Sequence, residues 1–118
     1  MLTLPSTARV FVAAGPTDMR KCFDTLAHLV RAVVHEDPLS GHFFVFCNRR
    51  RNRLKILVWD GTGFWIHAKR LEKGTFAWPP AEPGRTKLEL DGADLALLLG
   101  GIDLRDLERR PWWRRVRA

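Results

Sequence analysis

Three strand-length apolar runs follow one another closely along the chain: residues 43–47 (FFVFC), 54–59 (LKILVW) and 64–69 (FWIHAK). Runs joined by connections of a few residues pair as antiparallel neighbours, so this stretch reads as a β-meander. The first connection is Asn48-Arg49-Arg50-Arg51-Asn52-Arg53. The second is Asp60-Gly61-Thr62-Gly63, whose Asp-Gly pair supplies the positive φ that a tight hairpin requires. Along the middle run Leu54, Ile56 and Val58 share one face, while Lys55, Leu57 and Trp59 share the other. Both faces are substantially apolar, and each must be covered.

The flanking segments supply candidates for that cover. Residues 9–13 (RVFVA) form a β-branched and aromatic run closed by Gly15-Pro16, consistent with a strand that stops at a turn. Met19, Phe23, Leu26, Leu29, Val30, Val33 and Val34 then recur at helical spacing and predict the main helix. Thr17, Asp18 and Asp24 are its alternative caps, and Asp37-Pro38-Leu39-Ser40-Gly41 ends it. Residues 71–84, with Trp78-Pro79-Pro80 and Pro83, read as an extended connector. Lys87 to Leu90 is a further short strand, and Asp91 caps a short C-terminal helix that docks Leu95, Leu98 and Leu99 on the sheet. The main helix covers one sheet face. The other falls to the C-terminal elements, a partner chain or stacked aromatics.

The expected fold class is therefore α+β: an antiparallel β-meander of about three to five strands, packed with one main helix and a short C-terminal helix. A chain of 118 residues fits one domain, expected over residues 1–104. Residues 105–118 form a basic Arg/Trp-rich tail. An apolar content of 46% suffices for a core and argues against wholesale disorder. No apolar run approaches the roughly 20 residues that span a bilayer, and residues 1–12 lack the pattern of a secretory signal. The expected place is the cytosol, with no membrane partner.

Charge is unevenly distributed within the net +7. Basic and acidic residues balance up to Asn48. Between Arg49 and Lys73 eight bases (Arg49, Arg50, Arg51, Arg53, Lys55, Lys69, Arg70 and Lys73) face only Asp60 and Glu72. An acidic segment follows, and the tail is basic again. Such polarity suits a polyanionic partner. Guanidinium groups bind phosphate oxygens in bidentate geometry, so these eight residues are the candidate nucleic-acid-binding set; the bland alternative is a solvated turn. Trp112-Trp113-Arg114-Arg115 suits stacking on bases, and equally packing on the domain.

Catalytic residues, cofactors and metal ligands are not expected. Asp18, Asp60 and Asp91 are better explained by turns and caps than by a magnesium site. Cys22 and Cys47 lie in apolar company and read as buried free thiols. His28, His35, His42 and His67 are not at finger spacing with them. His42 and His67 flank strands and read as packing or edge residues.

Several ordered motifs carry a family resemblance. They are Gly15-Pro16-Thr17-Asp18-Met19-Arg20-Lys21, Asp37-Pro38-Leu39-Ser40-Gly41-His42, Asn48-Arg49-Arg50, Arg53-Leu54-Lys55, Trp59-Asp60-Gly61-Thr62-Gly63-Phe64, Lys69-Arg70-Leu71-Glu72-Lys73-Gly74 and Phe76-Ala77-Trp78-Pro79, with Leu98-Leu99-Gly100-Gly101-Ile102-Asp103 near the end. Together they resemble the TnpB accessory proteins of the insertion-sequence-66 family. The resemblance implies a bacterial mobile-element protein, encoded beside a separate transposase and needed for efficient transposition, and it implies no known catalytic site. The expected function is a non-catalytic transposition accessory factor that contacts element-end DNA through the basic hairpin, alongside the transposase. The alternative is an adaptor that docks on the transposase without touching DNA. The expected place narrows to the bacterial cytoplasm, at the nucleoid, and the oligomeric state stays open.

Overall fold

A computed structural model describes residues 7–78 and 82–100 of the chain. Five strands form one sheet: β1 (Val10–Ala13), β2 (Phe43–Cys47), β3 (Arg53–Trp59), β4 (Phe64–Arg70) and β5 (Lys87–Leu90). Two helices accompany them, α1 (Phe23–Leu29), continued by a π-helical segment Val30–Val34, and α2 (Gly92–Gly100). The spatial order is β4-β3-β2-β1-β5. This is the expected α+β class, with a mostly antiparallel sheet. The Arg/Trp-rich tail lies outside the described residues.

The meander forms as its spacing demands, β2 antiparallel to β3 and β3 antiparallel to β4. At the β3–β4 turn Gly61 takes φ +102°. The Asp60 carboxylate accepts from the Thr62 and Gly63 backbone N–H groups, each at 2.9 Å, and from the Trp65 indole at 2.8 Å. One pairing was not legible as a meander: β1 lies parallel to β2, with Phe11 opposite Phe44. Residues 14–42, carrying α1, make the long crossover that a parallel pair requires. β5 closes the far edge, antiparallel to β1.

β1 and β2 are buried along their whole length, and β3 is buried on both faces through Leu54, Ile56, Leu57 and Val58. Strands covered on both sides lose the polar-apolar alternation of a half-exposed sheet. One face packs Phe11, Phe44, Phe46 and Leu57 under Leu26, Ala27, Val30 and Val34 of the helical segment. The opposite face packs Val10, Val12, Val45 and Ile56 under Leu95 and Leu98 of α2 and under Phe76, Ala77 and Trp78. The 71–84 connector thus contributes to the core over residues 76–78, and the Trp78 indole N–H donates to the buried Ala13 carbonyl at 3.1 Å.

The helical stripe departs from its expected register in two places. Helix α1 begins after Cys22, whose backbone N–H donates to the Thr25 hydroxyl at 3.0 Å, so none of Thr17, Asp18 or Asp24 is the cap. Phe23, in the unburied first turn, stays exposed. At the other end the wider π turn keeps Val30 and Val34 inward and swings Val33 out of the core. His35 in the left-handed conformation (φ +59°) ends the segment. Helix α2 starts as expected, with the Asp91 carboxylate accepting the Asp94 N–H at 2.8 Å.

Cys47 is buried, but Cys22 is exposed at the start of α1, which corrects the expectation that both thiols are core residues. Among the described residues no helix is long and apolar enough to cross a membrane.

Phe44 is fully buried against Phe11 and α1. Phe44→Ala is expected to lower the unfolding free energy by about 3–5 kcal/mol in urea titrations, whereas Leu97→Ala, at an exposed site on α2, stays within about 0.5 kcal/mol.

The hydrogen bonds from the Thr62 N–H and then the Trp65 indole hold the Asp60 pKa down to about 2. A depressed carboxylate contributes stability above its unfolded value of about 3.9, and that contribution fades as pH falls towards the folded value. Asp60→Ala is therefore expected to lower the melting temperature at neutral pH, with the gap to the wild type closing below about pH 4. A gap that stays constant with pH in thermal scans would contradict this.

Candidate nucleic-acid interface

The connection between β2 and β3 is held at its base by one asparagine. The Asn48 side-chain oxygen accepts from the Asn52 and Arg53 backbone N–H groups, each at 3.1 Å, and its amide donates to the Asn52 side chain at 2.8 Å. The Asn48 N–H donates to the Arg53 carbonyl at 3.0 Å, and the Arg51 N–H to the Asn48 carbonyl at 3.1 Å, which closes a four-residue turn. Arg51 takes a positive φ of 61°.

The segment after β4 clamps the same loop. The Leu71 N–H donates to the Asn52 carbonyl at 2.8 Å, and the Phe76 N–H to the Arg51 carbonyl at 2.7 Å. The loop is thus fixed on two sides.

The eight expected basic residues separate into groups. Arg49, Arg50 and Arg53 are exposed, and their side chains make no hydrogen bond or ion pair among the described residues. Arg51 turns inward, its guanidinium carbon 5.5 Å from the centre of the Trp78 ring. Next to it, burial pushes the Cys47 thiol up to about 11 despite the nearby guanidinium. Lys55 donates to the Lys21 carbonyl at 2.8 Å, tying the segment before α1 to the sheet. Lys69 donates to the Leu99 carbonyl at 2.6 Å, near the end of α2, where a cation meets the partial negative charge of the helix terminus. Arg70 pairs with Glu72 at 2.8 Å, and Lys73 is exposed in the segment after β4.

What the charge count did not single out is the opposite wall of the site. The Thr17 N–H donates to the Cys47 carbonyl at 2.7 Å, which pins residues 16–20 beside the 48–53 loop. Between them lies a groove of about 630 Å³, lined on one side by Pro16, Thr17, Asp18 and Arg20, and on the other by Arg49, Arg50 and Arg53. Arg20 is almost wholly exposed and pairs with Asp18 at 2.7 Å. Its side chain, and then its backbone N–H, hold the Asp18 carboxyl down to about 2. A shallower hollow of about 420 Å³ shares Met19 and Arg53 and continues past Lys55, Lys69 and Arg70. The signal for Arg20 was present in the Gly15-to-Lys21 motif, but the balanced charge of the first third hid it.

Charges at the far edge of the sheet are paired instead. Arg9 meets Glu89 at 2.9 Å and Lys87 meets Glu36, both beside Phe11. His42 accepts the Arg9 N–H through Nδ1 at 3.0 Å, which makes it a bridging residue.

A second concavity of about 800 Å³ opens at the opposite end of β3, where Leu39, His42, Val58, Trp65 and His67 line it. The Trp65 and His67 rings lie parallel, 6.0 Å apart, on the part of the β4 face that α2 leaves open. Among the described residues, no three His, Cys, Asp or Glu side chains gather as a metal site would need.

Comparison with known proteins places this geometry in a family. A family model described as IS66 Orf2 like protein matches residues 8–109. The chain belongs to that family. The match runs past Asp103, where the recognisable motifs stop. Two curated relatives come from Sinorhizobium fredii. "Uncharacterized protein y4hO" is 43% identical over 105 residues, covering 89% of this chain and 90% of the relative. "Uncharacterized protein y4jC" is 36% identical over 103 residues, covering 87% and 86%. No solved structure matches the chain. Membership in the IS66 Orf2-like family associates the protein with an insertion sequence and its transposition.

The two kinds of arginine in the loop separate on mutation. Arg51→Ala removes the stack on Trp78 and is expected to cost about 1 kcal/mol of unfolding free energy. Arg49→Ala is expected to stay within about 0.5 kcal/mol. Equal effects in urea unfolding would contradict the inward role of Arg51.

Proposed function

We propose that this IS66 Orf2-like protein is a non-catalytic accessory factor of transposition that binds DNA of its insertion sequence through the basic groove and works beside the transposase in the bacterial cytoplasm, at the nucleoid. The observation that carries the reading is the convergence of Arg20, Arg49, Arg50 and Arg53 around one groove from two segments far apart in sequence. Four guanidinium groups around a concave surface concentrate positive potential where a phosphate backbone would lie, and Asp18 is the one carboxylate in the lining. Lys55 and Lys69, whose partners are uncharged backbone carbonyls, add to the field from the neighbouring strands.

The second reading is an adaptor that docks on the transposase, and one observation favours it. Trp65 and Leu39 are exposed beside the 800 Å³ concavity. α2 and residues 76–78 cover most of that sheet face, and the part left open among the described residues is the Trp65 end. An adaptor complex would form without DNA, survive salt and weaken on Trp65→Ala.

Fluorescence anisotropy with a labelled element-end duplex across a salt series separates the two. If all four guanidinium groups displace counterions from the duplex, log affinity falls against log salt with a slope of about −3.6. The triple variant Arg49→Ala, Arg50→Ala, Arg53→Ala should flatten the slope to about −0.9 while keeping the wild-type melting temperature. An unchanged slope in the folded variant would overturn the DNA reading, as would absence of binding at low salt.

A further inference from the structure

We propose that the 48–52 connection is a rigid prong whose two tip arginines, Arg49 and Arg50, enter the minor groove of duplex DNA and select narrow tracts by groove shape. This rests on the DNA-binding reading above and specifies which feature of the duplex the site recognises.

The prong is rigid because its base is locked at every residue but the tip. Asn48 is held by Arg53, and Asn52 by Asn48 and Leu71. Arg51 is held through its carbonyl by Phe76 and through its guanidinium by Trp78. Arg49 and Arg50 are left at the two central positions of the turn closed between Asn48 and Arg51. Both are exposed and unpartnered among the described residues. A loop fixed in this way loses little conformational freedom on binding, so the contact energy of its tip is not spent on ordering.

The reach of the tip decides which groove it suits. In the major groove arginine reads guanine and asparagine reads adenine by bidentate hydrogen bonds, from a helix or two-stranded ribbon that lies in that groove. Here β4 and the segment after it flank the β2–β3 pair up to Arg53 and Asn52, so that no ribbon projects from the sheet. In this loop both asparagine side-chain oxygens are occupied: the Asn52 oxygen accepts from the Asn48 amide, and the Asn48 oxygen takes two backbone N–H groups. What remains is a pair of guanidinium groups on a turn with no strand or helix extending beyond it. The minor groove, about 6 Å wide, excludes a helix but admits single arginine side chains. Its negative potential deepens where the groove narrows, as in A-tracts. Guanidinium is more weakly hydrated than ammonium, so arginine is stripped of water into such a groove more readily than lysine. Arg53 and Arg20, on the walls of the groove beside the tip, are placed to meet the flanking phosphates.

The test uses the full chain and three labelled hairpin duplexes of one length, differing only in a central tract of A·T, inosine·cytosine or G·C pairs. Inosine·cytosine keeps the major-groove edge of G·C but lacks the amino group that G·C places in the minor groove. The expected result is similar affinity for the A·T and inosine·cytosine duplexes and about fivefold or more weaker binding to G·C. The double variant Arg49→Lys, Arg50→Lys keeps the charge, and should retain the salt slope while losing that preference. Its melting temperature, expected to equal the wild type, verifies the fold.

Inosine·cytosine behaving like G·C would place readout in the major groove and overturn the proposal. Equal binding to all three duplexes, or a preference that survives in the lysine variant, would also overturn it and leave the phosphate-binding reading intact. Failure to bind any duplex at low salt would remove both.

Discussion

Three adjacent strands that are apolar on both faces cannot face water on either side, and this constraint organises the rest of the molecule. β1, β2 and β3 need two separate covers, and the chain supplies them in sequence order. The crossover between β1 and β2 carries α1 and its π-helical continuation over one face, against Phe11, Phe44 and Leu57. The segment after β4 brings Phe76, Ala77 and Trp78 over the other, and α2 completes that layer with Leu95 and Leu98. β4 and β5, the outer strands of the sheet among the described residues, carry charged side chains: Lys69 and Arg70 on one, Lys87 and Glu89 on the other.

The position of the basic groove follows from that arrangement. Residues 71–76 run back past the 48–52 loop on their way to cover the second face, and their backbone N–H groups meet the Arg51 and Asn52 carbonyls. The same path puts Trp78 beneath the Arg51 guanidinium. Covering the core and bracing the loop are thus one structural act. On the other side, the entry to α1 leaves β1 at the end of the sheet where β2 finishes, so Thr17 reaches the Cys47 carbonyl and Arg20 comes to stand opposite Arg49 and Arg50. A groove with arginines from two distant segments is a product of the β1-α1-β2 crossover.

Not all cations of the basic stretch do the same work. Lys55 and Lys69 satisfy backbone carbonyls of other segments, Arg51 packs on an aromatic ring, and Arg70 is neutralised by Glu72. Charge density along a sequence counts these equally with Arg49, Arg50 and Arg53, yet their side chains are differently placed to meet a ligand. The first two show why a lysine beside a helix end or an irregular segment is ambiguous: the carbonyls left unsatisfied there need donors as much as a phosphate does.

The sequence by itself determined the elements whose signals are local. Strand-length apolar runs and tight connections defined β2, β3 and β4, Asp60-Gly61 defined the β3–β4 hairpin, Asp91 the start of α2, and the two-sided apolar strands the need for two covers. Pairing between neighbours is set by short-range geometry, so these features survive without knowledge of the rest of the chain. Tertiary structure decided what depends on segments meeting across long separations: the parallel β1–β2 pair, the core role of Phe76 and Trp78 in a proline-rich connector, and the exposure of Cys22, Phe23 and Val33. It also decided which arginines point outward and that Arg20 joins them. An arginine carries the same charge and the same apolar stem whether it covers a tryptophan or faces solvent, and only the neighbours brought to it by the fold choose between the two.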